Sequence, residues 1–228
     1  MKKSNRILLG IFLTAILLVT AVHVTLYAKY RSGDYTVLDD MSSMVMQSFP
    51  HVKFISVRNV GVSVGFGDST QVEKTANKAI RYYQKNDTLH VIGTDNSGDG
   101  KYRQSITVNL PATTSVFAFN TDLSFTNGRG ASTGSSTIYL DDSKARFSEH
   151  DHTLNFGMIR LFAVNKSVLA IDDSNTVINS LDVQLINSSM EDNEGSIGQL
   201  SIKTDSLSRI SLQAKHFSKA KLNTAFNE

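Results

Sequence analysis

Ile138-Tyr139-Leu140-Asp141-Asp142-Ser143 returns as Leu169-Ala170-Ile171-Asp172-Asp173-Ser174, and this echo decides how the chain is read. Looser copies follow at Val183-Gln184-Leu185-Ile186-Asn187-Ser188 and Ile202-Lys203-Thr204-Asp205-Ser206. Each is a short alternating apolar run, an Asx-Ser corner, and then a second short run such as Asn175-Thr176-Val177-Ile178 or Arg209-Ile210-Ser211-Leu212. Measured at the serine, the steps are 31, 14 and 18 residues. The first is close to twice the others, so a further copy is expected between Asn155 and Asn165. Imperfect repeats made only of strand and corner are the signature of a β-solenoid. One turn cannot cover its own aliphatics, here Leu140, Ile171, Leu185 and Ile202, whereas stacked turns build a continuous core and pair every backbone group with the next rung. Asx and Ser suit the corners because their short side chains hydrogen-bond local backbone, and stacking them predicts hydroxyl and amide ladders.

Upstream, two-residue alternation begins at Phe54-Ile55-Ser56-Val57 and leads into Val60-Gly61-Val62-Ser63-Val64, whose valines share one face of a strand. Gly65-Phe66-Gly67-Asp68-Ser69 is a turn cluster, and Lys85-Asn86-Asp87 is a second turn before Thr88-Leu89-His90-Val91-Ile92. Ser105-Ile106-Thr107-Val108-Asn109-Leu110 alternates and stops at Pro111, which has no N–H for a ladder. No segment past residue 50 keeps a helical period, so the exported domain is expected to be all-β. Residues 51–110 are expected as N-terminal strands capping one end and 111–228 as repeat rungs, with the lysine-rich stretch from Lys215 to Glu228 blunting the other end.

The N-terminus is an address. Residues 1–6 are polar and basic, and Ile7 to Tyr27 is a run of 21 residues with no charged side chain. That length crosses a hydrocarbon core of roughly 30 Å as a helix. A transmembrane signal-anchor over 7–27 is expected, followed by a stalk over 28–50. The competing reading is a cleaved signal peptide ending near Val19-Thr20-Ala21. Both export the rest of the chain. The cationic charge belongs to this end. Residues 1–31 hold Lys2, Lys3, Arg6, Lys29 and Arg31 and no acid, which leaves 18 Lys+Arg against 21 Asp+Glu, a net −3, for the remainder. A nucleic-acid partner therefore loses its electrostatic support. More positive charge before the run than after it favours a cytoplasmic N-terminus, placing the domain in the periplasm or outside the cell.

Several residue sets invite chemistry. Asp141, Asp142, Asp172 and Asp173 would bring carboxylates together if their repeats stack, and paired carboxylates can divide acid and base roles in a glycosidase or lyase. The same residues are explained as corner formers. Glu149-His150-Asp151-His152 places His150 and His152 on one face of a strand, a donor set suited to zinc, but no third ligand is set by spacing. Glu191-Asp192-Asn193-Glu194-Gly195 offers calcium-friendly oxygens without the spacing of an EF-hand loop. The absence of cysteine removes thiolate metal sites and nucleophiles. The glycine pairs at 65/67 and 128/130 precede neither a helix nor a P-loop lysine, and no Gly-x-Ser-x-Gly elbow occurs. Tyr82, Tyr83, Phe117, Phe119 and Phe125 are either a sugar-stacking surface or core and cap. No cofactor is expected.

Three features occur together. They are Val60-Gly61-Val62-Ser63-Val64 with Gly67-Asp68 and Gln71-Val72-Glu73; Asp87-Thr88-Leu89-His90-Val91 followed by Ile106-Thr107-Val108-Asn109-Leu110-Pro111; and the run of β rungs with Ser-containing corners. Over residues 52–222 this order resembles the bacterial autotransporter-adhesin head domain, or head GIN domain, family. The resemblance implies a right-handed β-solenoid, exported and often membrane-attached, with no established activity. Family corners are usually Gly-Ser-Gly, whereas Asx-Asx-Ser and Asn-Ser-Ser stand here. The expected protein is a single-pass, inner-membrane-anchored β-solenoid with a non-enzymatic binding, adhesion or structural role towards envelope glycan or protein. The alternative is a carbohydrate-active enzyme working from the four aspartates.

Overall fold

The computed structural model describes residues 3–32, 45–75, 79–94, 105–126, 134–148 and 153–224. They form two units, Met1–Met44 and Val45–Glu228. The first holds helix α1, Lys3–Ser32, of 30 residues. Among the described residues no helix is long and apolar enough to cross a membrane. The spanning helix expected over 7–27 is therefore not shown; Gly10, Thr14, Thr20, His23 and Thr25 interrupt the apolar run.

The second unit is built of strands. In chain order they are β1 (Met46–Phe49), β2 (Phe54–Arg58), β3 (Gly61–Phe66), β4 (Thr70–Glu73), β5 (Ile80–Lys85), β6 (Thr88–Gly93), β7 (Ser105–Leu110), β8 (Ser115–Phe119) and β9 (Asp122–Phe125). Then come β10 (Ser135–Asp141), β11 (Lys144–Phe147), β12 (Leu154–Val164), β13 (Val168–Ile171), β14 (Thr176–Ile186), β15 (Ser189–Asp192), β16 (Ser196–Thr204) and β17 (Arg209–Ser211). A four-residue helix, α2 (Ala214–Phe217), precedes β18 (Ala220–Thr224).

These strands make two nine-stranded sheets around one core. Sheet A runs β1-β4-β7-β3-β9-β11-β13-β15-β17 and sheet B runs β18-β16-β14-β12-β10-β8-β2-β6-β5. From β8 onward the chain alternates between the sheets, and each strand pairs in parallel with those one turn away. The result is a β-solenoid of about four turns. The rung β2–β3 lies inside the stack, β2 between β6 and β8, and β3 between β7 and β9. The chain thus lays β6–β7 on one side of its first rung and every later rung on the other. Antiparallel β1 and β4 finish sheet A, and antiparallel β5 finishes sheet B.

Alternation of side chains makes the core. Ile138, Leu161, Val183 and Ile202 share one register position in sheet B, and Leu123, Ala145, Leu169 and Met190 share one in sheet A; all are buried. Burial of each Val, Leu or Ile is worth about 1.5–3 kcal/mol. Phe125 stacks on Phe147 at 4.5 Å between centroids, and Phe156 meets Phe66, Phe125 and Phe147 edge-on. That assigns Phe125 to the core.

The opening echo is offset by half a turn. Asp141-Asp142-Ser143 leads from a sheet B strand into sheet A, whereas Asp172-Asp173-Ser174 leads from sheet A back to sheet B. The residue paired with Asp141 one rung on is Val164, and the stacked corner there is Val164-Asn165-Lys166-Ser167. A copy therefore closes at Asn165, at the edge of the interval where one was expected. Along this corner the bonded hydroxyl residues are 22, 24 and 20 residues apart, at Thr121–Ser143, Ser143–Ser167 and Ser188–Ser208. The 31-residue step joins unlike corners.

Candidate binding face

The corners set the orientation of everything between them. At the turn from sheet B to sheet A, Asn59, Asn120, Asp142, Asn165 and Asn187 all have positive φ, between 46° and 56°. Asn and Asp tolerate this left-handed conformation better than other residues with a Cβ. The next residues form a hydroxyl ladder. Thr121 N–H donates to Ser143 Oγ, Ser143 N–H to Ser167 Oγ and Ser188 N–H to Ser208 Oγ, each at 3.1 Å. The Ser143 and Ser167 hydroxyls donate in turn to the carbonyls of Asp141 and Val164, and that of Ser208 donates to the Asp205 carboxylate. Amides bridge rungs as well, Asn120 Nδ2 to Asn59 Oδ1 at 2.9 Å and Asn165 Nδ2 to Asp141 Oδ1 at 2.7 Å.

The four aspartates fall into two separated pairs. Asp141 and Asp142 sit at the turn into sheet A, Asp172 and Asp173 at the opposite turn into sheet B. Asp141 accepts from Asn165, and Asp172 accepts from Asn193 Nδ2 at 2.9 Å and pairs with Arg146 Nε at 2.9 Å. Asp173 accepts from Asn175 N–H at 2.8 Å, a local corner bond. His150 and His152 lie outside the described residues. Among the described residues no group of three or more His, Cys, Asp or Glu is placed to hold a metal. Of the acidic run 191–195, Asp192 is buried and takes His216 Nδ1 at 2.5 Å and Gln213 Nε2 at 3.0 Å.

The outer faces of the two sheets differ in kind. Two residues before each positive-φ corner stands a fully buried residue: Val57, Ala118, Leu140, Ala163 and Leu185. Three residues before it, the side chain points outward, giving Ser56, Phe117, Tyr139, Phe162 and Gln184 in one register column of sheet B. Phe54 lies 6.1 Å from Phe117, Phe117 lies 6.2 Å and Phe119 5.9 Å from Tyr139, and the Arg58 guanidinium stands 4.5 Å over Phe119. Phe162, Met158 and Ile186 are exposed alongside, at 38%, 37% and 39%. Further along, Tyr83 stacks on His90 at 5.0 Å. Sheet A carries instead Ser63, Asp122, Ser124, Lys144, Arg146, Glu191 and Arg209, with Val168 and buried Ala170 the apolar members of the same register columns. Of the aromatic residues singled out in the sequence, Phe117 and Phe119 belong to the outer face, while Tyr82 packs beside the core and edge-on to Phe49.

No protein-family model and no curated protein matches the chain. A solved structure described as "a putative cell adhesion protein from Clostridium sporogenes" aligns with a TM-score of 0.26 at 9% identity, over 74% of this chain and 98% of that one. At that score the likeness carries no argument.

Proposed function

We propose that the chain is a non-enzymatic binding module of the bacterial cell envelope, gripping an extended glycan or envelope protein along the outer face of sheet B. The observation that carries this reading is the aromatic column Phe117, Tyr139 and Phe162 with Phe54, Phe119 and Arg58 beside it, set against a sheet A face of small and charged residues. Phe162 is exposed and Phe54, Phe117, Phe119 and Tyr139 are half-buried; apolar surface clustered on an outer face marks contact sites, and rungs about 4.8 Å apart repeat it along the solenoid axis. The four aspartates stand as two pairs at opposite corners, with Asp141, Asp172 and Asp173 engaged in hydrogen bonds or an ion pair of the corners themselves, which favours reading them as corner formers.

The same proposal assigns α1 to anchoring in the inner membrane with residues 45–228 outside the cytoplasm. Support comes from the uncharged run within a 30-residue helix and from the way its polar side chains are satisfied. Thr14, Thr20 and Thr25 hydroxyls donate to carbonyls four residues back, and His23 Nδ1 bonds the carbonyl of Val19, so these polar groups are satisfied within the helix itself. Carbonate-resistant membrane association that is lost on deleting residues 7–27 is the expected result.

The test of the binding face is a screen of the detergent-solubilised chain against envelope glycans and cell-wall fragments. Phe117→Ser/Tyr139→Ser/Phe162→Ser is expected to weaken binding at least about tenfold, roughly 1.4 kcal/mol, with the domain still folded by circular dichroism at the assay temperature. Turnover abolished by Asp142→Asn/Asp173→Asn would replace this reading with the enzymatic one.

A further inference from the structure

The two ends of sheet B are finished differently. At one end β5 turns antiparallel against β6. At the other, β18 pairs with β16 and, among the described residues, with no strand beyond it. The core column Ile138, Leu161, Val183, Ile202 continues in register to Leu222. The first four are at most 2% exposed, but Leu222, in the same inward position, is 48% exposed, and among the described residues no rung covers it. The sheet A half ends otherwise. Its column Phe125, Phe147, Ile171 closes on Asp192, which binds His216 of α2 and neighbouring Gln213; His216 Nε2 also accepts Ile197 N–H at 3.1 Å. Polar bonds thus hold α2 over one half of the last rung and leave an apolar strand edge on the other.

We propose that this edge is a strand-addition site for an extended acidic segment of another protein. The incoming strand pairs along the edge of β18 that no described strand occupies and lays an aliphatic side chain over Leu222. The cations at this end blunt the edge against neutral and basic strands, so an acidic strand is the one they admit. From Ser206 to Thr224 the chain carries Arg209, Lys215, Lys219 and Lys221 and no acid, and all four are exposed. A second copy is a poor occupant. The opposite edge strand, β5, exposes Arg81 and Lys85, so stacking copies head to tail or tail to tail sets cation against cation.

The test uses the full chain in detergent with fluorescent synthetic peptides of about eight residues, a strand's length. One alternates Glu with Val, one alternates Lys with Val, and one is the Glu–Val peptide with a central proline. The Glu–Val peptide is expected to bind and to slow amide exchange in β18, with the other two weaker by at least about tenfold. Lys219→Glu/Lys221→Glu is expected to reverse the preference between the Glu and Lys peptides. The triple aromatic variant of sheet B is expected to leave peptide binding unchanged, which separates this site from the binding face. Absence of peptide binding, binding indifferent to charge or to proline, or slowed β18 exchange arising only from self-association would overturn the proposal.

Discussion

Single residues at the corners carry more of this fold than their size suggests. Asn187 sits at φ 49°, a conformation that costs an ordinary L-residue about 1–2 kcal/mol. Asn187→Ala is therefore expected to lose about 1 kcal/mol in a urea titration and Asn187→Gly to lose less; equal losses would remove the backbone explanation. Asp205, on the next rung, is held below the ordinary carboxylate range first by the Ser208 hydroxyl, against some opposing desolvation, and then by the N–H groups of Asn187, Leu207 and Ser208. A lowered folded value means that the group contributes stability above its unfolded value of about 3.9, and that this contribution is lost as pH falls through the folded value. The stability gap between the native chain and Asp205→Asn is thus expected to be present at neutral pH and to close in acid below about pH 3.9. A gap independent of pH would contradict the assignment.

At the scale of the element, a rung is a strand, a corner and a strand held by its neighbours. Ser167 shows the coupling, since its buried hydroxyl accepts Ser143 N–H from one rung and donates to Val164 O within its own. Ser167→Ala leaves a buried N–H without an acceptor and is expected to cost about 1–3 kcal/mol. Hydrogen exchange should locate the loss at Ser143 and its adjoining rung rather than across the whole domain. The period-two alternation and the Asx-Ser corners were legible in the sequence because both are local. Register was not. The matching hexapeptides at 138–143 and 169–174 are alike because each is an apolar strand meeting a corner, and a flattened solenoid has two kinds of corner with the same chemistry. The insertion of β2–β3 between β6–β7 and β8–β9 rests on pairings far apart in the chain, which no local pattern announces.

For the whole molecule the decisive contrast is between an aromatic face and a small, charged one. Val116-Phe117-Ala118-Phe119 is apolar in both parities, so hydrophobicity alone could not tell which pair faced outward. The corner could: a buried residue stands two places before each left-handed Asx at the turns from sheet B to sheet A, which assigns Phe117, Tyr139 and Phe162 to the outer face. The aspartates show the reverse lesson, for their sequence likeness suggested proximity and the coil puts them half a turn apart.

The chain's freedom from cysteine allows both statements to be tested in one experiment. Neighbouring parallel strands lie about 4.8 Å apart, and a disulfide closes when Cα atoms are about 4.4–6.8 Å apart. Cross-linking under mild oxidation is the measurement to make on two double variants, Tyr139→Cys/Phe162→Cys and Asp142→Cys/Asp173→Cys. An intramolecular disulfide is expected in the first and none in the second. A disulfide joining positions 142 and 173, with none joining 139 and 162, would dissolve the aromatic column and bring the aspartates back together as a catalytic pair.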